Sequence, residues 1–329
     1  MPKSSNRPAR ASIEFAALVS VCGACTAAAP VDDYPSKPLR FVVGFTPGGG
    51  SDTVARLLAQ KLGEAWGQPV VVDNRPGAGG NIANEIVIKA GADAYTVLIA
   101  SSSFTIQPAL LSNSEIRPLV DFAPVTLASS TPYLLVVHPA VAAQSVKELV
   151  ALAKAQPGKL NYASAGAGSA LHLASELFKS MAGVDILHVP YKGANGISDL
   201  IAGAVQVTIA GPPQTLTHVR SGRLRALAVT SAKRAAVAPN LPTIAESGVP
   251  GYEVEAWYGA VVTAASPRGR IERLAAEINR ALASTDLREK LSVQGLEPRG
   301  GTPAEFAVVI RDDLAKWARV VRDAGIKAD

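Results

Sequence analysis

A recurring pattern constrains this chain more than any other feature: a short apolar run, then a glycine-rich turn, then a stretch of helical periodicity. LRFVV leads through GFTPGGGSD, Gly44 to Asp52, into the helical TVARLLAQKLGEAW, Thr53 to Trp66. PVVVD leads through RPGAGGN into a helix from about Asn81, and LNYAS leads through AGAGS into a helix over Ala170 to Ala182. Strands that alternate with helices in this way build a mostly parallel sheet covered by helices. The rhythm continues in YLLVVHP, in SVKELVALAKAQPG with Ser145 as its N-cap, and in ILHVPY, VQVTIA and LRALAVT. For 329 residues, two α/β lobes fit better than one long sheet.

The end of the chain changes character. From Arg268 to Ala324 it reads as three helices with no strand between them, and Thr302, Pro303 and Glu305 form a helix start. A chain that enters a second lobe and then returns to decorate the first gives this order. The expected division is residues 30–130 with 233–329 as lobe 1 and 131–232 as lobe 2.

Composition removes several classes of function. The formal charge is +5, of which Lys3, Arg7 and Arg10 against Glu14 account for two, and no basic block or basic-aromatic interleaving follows. No nucleic-acid partner is expected from so slight a bias. The first 29 residues have the layout of a secretory signal: three basic residues, then FAALVSVCGACTAAAP with Ala27, Ala28 and Ala29 at its end. Export is therefore expected. Cys22 and Cys25 both fall inside this segment, which leaves the mature chain without a thiol.

The glycine turns aim backbone N–H groups at positive helix ends, an arrangement that favours an anion. GFTPGGGS nearly matches a phosphate loop but has glycine where the lysine belongs, so a triphosphate would lack its counter-charge. A dinucleotide site is the closer alternative, with Gly48 and Gly50 after a strand and Asp73 at the end of the next, although Thr53 replaces the third glycine. Turns from two different lobes, at Gly48 to Ser51 and Gly166 to Ser169, could close on one small anion from opposite sides.

YPSKPLRFVVGFTPGGGSDTVARLLAQKLGE, PVVVDNRPGAGGNIA, QPGKLNYASAGAGSALHLASELF, HVPYKG, GRLRALAVTSAKR and LPTIAESGVPGYE together resemble the Bug family. These are the extracytoplasmic solute receptors of tripartite tricarboxylate transporters, and the resemblance covers nearly all the chain after residue 33. It implies an α/β two-lobe periplasmic binding protein, similar to type II members, each lobe a mixed, mostly parallel sheet flanked by helices. Such a receptor closes on a small organic carboxylate and hands it to transporter membrane subunits, without cofactor or enzymatic activity and as a monomer.

Carried onto this sequence, the first ligand loop is Phe45, Thr46, Pro47, Gly48, Gly49, Gly50, Ser51 and Asp52. The second is Ser164, Ala165, Gly166, Gly168 and Ser169, with His172 one turn into the helix. Hydroxyls of Thr46, Ser51, Ser164 and Ser169 can donate to a carboxylate, whereas Asp52 would repel one and is expected to cap its own helix. Of Ser101, Ser102 and Ser103, at the C-terminal edge of the sheet, Ser102 is the expected contact. Many relatives carry an Asp after the strand VQVTIA; Ala210 and Gly211 stand here, which points to a ligand without an amine.

Competing readings of single residues remain open at this level. His172 serves equally as helix packing or ligand contact, and Arg75 is expected to brace its turn. Trp257 and Tyr258 belong by default to the core, though they could floor the cleft. The histidines lack metal-like spacing, so no metal site is expected, and no G-x-S-x-G or mature cysteine supports catalysis. A dinucleotide-binding oxidoreductase and a solute sensor reporting to a signalling partner such as a sensor kinase are the alternatives.

Overall fold

The computed structural model describes residues 1, 2, 4, 33–110, 116–323 and 326. The body of the expected export signal, both cysteines included, lies outside the described residues. The chain runs β1 (Leu39–Val43), α1 (Gly50–Trp66), β2 (Val70–Asn74), α2 (Asn81–Ile88), β3 (Thr96–Ser101), α3 (Ser103–Leu110), α4 (Pro118–Asp121) and β4 (Phe122–Pro132). It continues as β5 (Leu134–Val137), α5 (Val146–Ala155), β6 (Asn161–Ser164), α6 (Ala170–Ala182), β7 (Leu187–Pro190), α7 (Ile197–Ile201), β8 (Val207–Ala210), α8 (Pro212–Arg220) and β9 (Arg225–Val229). It ends with β10 (Glu255–Thr263), α9 (Arg268–Ala283), α10 (Thr285–Val293), β11 (Glu297–Pro298) and α11 (Pro303–Asp323).

The strands form two sheets, one of six in the order β11-β4-β10-β3-β1-β2 and one of five in the order β7-β6-β8-β5-β9. Pairs joined through a helix, β1 with β2 and β3 or β6 with β7 and β8, are parallel. The strands that carry the chain between sheets, β4 and β10 in one and β5 and β9 in the other, make the antiparallel pairs. This is a two-lobe α/β fold with a mixed sheet in each half.

The two crossings meet at one place. Tyr133, between β4 and β5, donates its N–H to the Thr230 hydroxyl at 2.8 Å, and that hydroxyl donates to the Val254 carbonyl at 2.6 Å. Thr230 and Tyr133 also exchange a backbone bond of 3.0 Å, and the Val254 N–H reaches the Thr230 carbonyl at 2.9 Å. One threonine thus ties both connections where the halves join.

Local chemistry explains the helix boundaries that position the site. Ser145 and Ser169 accept N–H groups three residues on, as N-caps do. Thr302 and Glu305 form a reciprocal capping box, with Thr302 N–H to the Glu305 carboxylate at 2.7 Å and Glu305 N–H to the Thr302 hydroxyl at 3.2 Å. On α11, Phe306, Ile310 and Trp317 lie on one buried stripe against the six-stranded half, and the Phe306 ring meets Trp257 edge-on at 5.5 Å. Truncating such a phenylalanine to alanine costs about 3–5 kcal/mol.

Two boundaries differ from the sequence reading. Helix α1 begins at Gly50 rather than Thr53, because the Asp52 carboxylate reaches back to the Gly48 N–H at 2.9 Å and winds the glycine turn into the first helical turn. Between α10 and α11 the chain forms the two-residue β11, paired with Ser130 and Ser129 of β4, too short to leave a periodic signal.

Candidate functional site

A cleft between the two halves, open on one side to solvent, holds about 460 Å³ of space, part of it solvent at its mouth. Four helices present their first turns to it: α1 through Gly49, Gly50 and Ser51, α3 through Ser103, α6 through Ser169, Ala170 and Leu171, and α8 through Gly211 and Gln214. Helix N-termini carry partial positive charge, and those of α1 and α6 add unsatisfied N–H groups, so four helix starts around one cleft make an anion-favouring environment. None of the lining residues is Lys, Arg, Asp or Glu.

At α6 the first-turn donors are divided. The Ala170 N–H goes to the Ser103 hydroxyl at 2.9 Å and the His172 N–H to the Ser169 hydroxyl at 3.2 Å, which leaves the N–H of Leu171 facing the cleft residues without an intrahelical partner. At α1 the N–H groups of Gly50 and Ser51 are in the same position. Two tyrosines complete the walls. Burial pushes the Tyr133 hydroxyl up to about 12 and raises that of Tyr258 well above the ordinary tyrosine value, so both stay protonated and able to donate.

Phe45, Gly49, Gly50, Ser51, Ala165 and Ser169 line this cleft. The other residues singled out from the sequence stand around it. Pro47 and Gly48 are exposed on the outer side of the first turn. Thr46 donates both its N–H and its hydroxyl to the Gly193 carbonyl, each at 3.1 Å, pinning the first loop to the five-stranded half. The Asp52 carboxylate is buried and fully engaged, by Gly48 N–H, by Arg56 at 2.9 Å and by Asn74 at 3.0 Å. Burial works to raise its pKa, and these bonds outweigh it, holding the carboxyl below the ordinary value.

The Ser102 hydroxyl lies 3.4 Å from that of Tyr133, itself a wall of the cleft, while Ser101 and Ser103 on either side of it line the cleft. Ser164 bonds His188 Nε2 at 2.7 Å and accepts the Gly166 N–H at 3.1 Å. His172 is fully buried behind the second loop. Its Nδ1 accepts the Gly168 N–H at 3.3 Å and its ring stacks on His188 at 4.3 Å and 11°. These contacts set the shape of the second loop from behind.

A third glycine turn joins the first two. Gly79, with φ +61°, approaches the second loop so closely that a Cβ there would lie 2.8 Å from the Ala167 carbonyl oxygen. Beside it Arg75 pairs with Asp73 at 2.9 Å, and Asp73 also pairs with Arg40. The acid that would serve a ribose in a dinucleotide site is therefore occupied by two guanidinium groups, and Arg75 braces its turn.

Ala170 and Leu171 join the site at the end of the second glycine turn, and Ser101, Ser103, Tyr133, Gly193, Asn195, Gly211, Gln214 and Tyr258 join it from positions that none of the three turns marks. Their common signal is placement at strand ends, helix starts and the loops between them on one edge of the two sheets, where open α/β folds bind ligands, with Tyr258 inside β10 beside its pairing partner Ser101.

Residues 54–326 match the family model described as the tripartite tricarboxylate transporter family receptor. The chain belongs to this receptor family. Family membership makes it a solute-binding receptor rather than a catalyst, and the oxidoreductase alternative is set aside. Among curated proteins the receptor is similar to BugT of Bordetella pertussis, 39% identical over 305 residues that cover 91% of this chain and 94% of BugT. Among solved structures it is similar to R. palustris Rpa4515 with adipate, at 39% identity and a TM-score of 0.86, covering 90% of this chain and 99% of that one. It is likewise similar to MatC from Rhodopseudomonas palustris with bound malate, at 29% identity and a TM-score of 0.84, covering 88% and 100% of the two chains.

Proposed function

We propose that the receptor is exported to the periplasm, binds a small organic dicarboxylate in the cleft between its two lobes, and delivers it to transporter membrane subunits. The carrying observation is the lining: four helix N-termini, hydroxyls and side-chain amides, with no ionised side chain. Main-chain N–H groups suffice for a carboxylate and would serve a triphosphate poorly. The adipate in Rpa4515 and the malate in MatC, both dicarboxylates without an amine, support the same ligand class. Ala210 and Gly211 offer no carboxylate that would hold an amino group.

Lobe 1 is residues 30–130 with 233–329 and lobe 2 is residues 131–232, with Tyr133 and Thr230 at the joint. Closure on ligand is favoured because the anion contacts helix ends from both lobes only in the closed form. Thermal-shift screening of di- and tricarboxylates, monocarboxylates, amino acids and nucleotides tests the reading. Stabilisation by dicarboxylates and not by nucleotides is expected; no shift with any acid overturns it.

A further inference from the structure

Asn195, in the loop between β7 and α7, lines the cleft and is 7% exposed, and its side-chain Nδ2 makes no hydrogen bond to any described residue. A buried amide donor without a partner is costly unless something supplies an acceptor, and a carboxylate bound in this cleft supplies a charged one. Gln214 faces the same cleft from α8. Prolines at 212 and 213 remove the N–H groups of the first two positions of that helix, so its donor at the cleft is the Gln214 side chain, whose Nε2 lies close to Gly49. The cleft therefore holds two kinds of donor: main-chain N–H groups at α1 and α6, and side-chain amides from the β7–α7 loop and α8.

We propose that Asn195, assisted by Gln214, recognises the second carboxylate of a dicarboxylate whose first carboxylate sits on the N-termini of α1 and α6. This rests on the receptor reading above and adds a specificity determinant to it. An amide donor rewards an ionised terminus and leaves a methyl terminus unrewarded, so Asn195 sets the preference for a diacid over a monoacid of equal length.

Calorimetry with ligand-free protein, adipate and hexanoate tests this, because the two ligands have the same chain length and differ by one carboxylate. The wild-type protein is expected to prefer adipate by tenfold or more. Asn195→Leu, which keeps the branching and heavy-atom count of the side chain, is expected to lose tenfold or more in adipate affinity while hexanoate binding stays within about twofold. Asn195→Asp keeps the shape and presents negative charge, and is expected to reduce adipate binding further while leaving hexanoate less affected; it serves if the leucine variant fails to fold. Equal losses for both ligands, or an unchanged adipate preference in either variant, overturn the role of Asn195 while leaving the receptor reading in place. A wild-type protein that binds neither acid, and that no acid of the thermal-shift panel stabilises, overturns both.

Discussion

The hydroxyl oxygen of Ser103, at the start of α3, accepts the backbone N–H of Ala170, the first residue of α6, at 2.9 Å. A side chain from the six-stranded half thus caps a helix of the five-stranded half across the ligand cleft. Ser103→Ala removes this bond, which exists only when the halves are together. Dicarboxylate affinity is expected to fall roughly fivefold, corresponding to about 1 kcal/mol, with little change in urea stability of the ligand-free protein. Unchanged affinity by calorimetry counts against the bond as part of closure.

Gly50 has no room for a side chain, since a Cβ would lie 2.1 Å from the Tyr258 hydroxyl and 2.4 Å from the ring carbon bearing it. Tyr258 is buried in the wall, so its ring would have to shift toward the cleft to make room. Gly50→Ala is expected to destabilise the protein by about 1–3 kcal/mol in urea unfolding and to abolish ligand-induced thermal stabilisation. A variant that melts and binds like wild type would contradict the packing described.

Asp52 supplies a pH dependence with a definite sign. Its folded carboxyl lies below the ordinary 3.8, so the unfolded chain binds the proton more readily. The stabilisation is present in full above that value and is lost as pH falls through the folded one. Asp52→Asn is expected to cost about 1–2 kcal/mol at pH 7, discounted because its partner Arg56 is half exposed. Urea titrations of both proteins should show the gap steady from pH 7 to about 5 and shrinking below 4. A gap that widens on acidification is the opposite of what this network requires.

Thr230 is the shared partner of both interlobe connections. Thr230→Val keeps the shape and strands the Tyr133 N–H and the Val254 carbonyl, both in buried surroundings. The expected loss is about 1–3 kcal/mol, read from the urea midpoint at unchanged m-value. A loss below 0.5 kcal/mol, roughly that of an ordinary surface substitution, would show that the junction tolerates the unpaired groups.

What could be read from the sequence follows how local its cause is. The α/β rhythm, the caps at Ser145, Ser169 and Thr302, and the glycine turns at Gly48–Ser51 and Gly166–Ser169 depend on neighbouring residues, and periodicity or a capping pattern reveals them. The start of α1 was obscured because Gly50 and Ser51 are turn formers in isolation, and the Asp52 bond to Gly48 makes them helical. Asn195 and Gln214 carry no local signal, since their polar ends matter only once the two halves face each other, and Tyr258, which the sequence left between core and cleft floor, is settled as a lining residue only by the packing. Ser101, Ser102 and Ser103 show the limit at residue level: the sequence places all three at the sheet edge, and only the packing shows that Ser101 and Ser103 line the cleft while Ser102 meets the Tyr133 hydroxyl.

A crystal structure of the receptor with adipate tests the central claim most directly. The account predicts one carboxylate within hydrogen-bond distance, about 2.7–3.2 Å, of first-turn N–H groups of α1 and α6, with no ionised side chain in contact. Adipate held by a lysine or arginine, or bound outside the cleft lined by Gly50, Ser51 and Leu171, would contradict it.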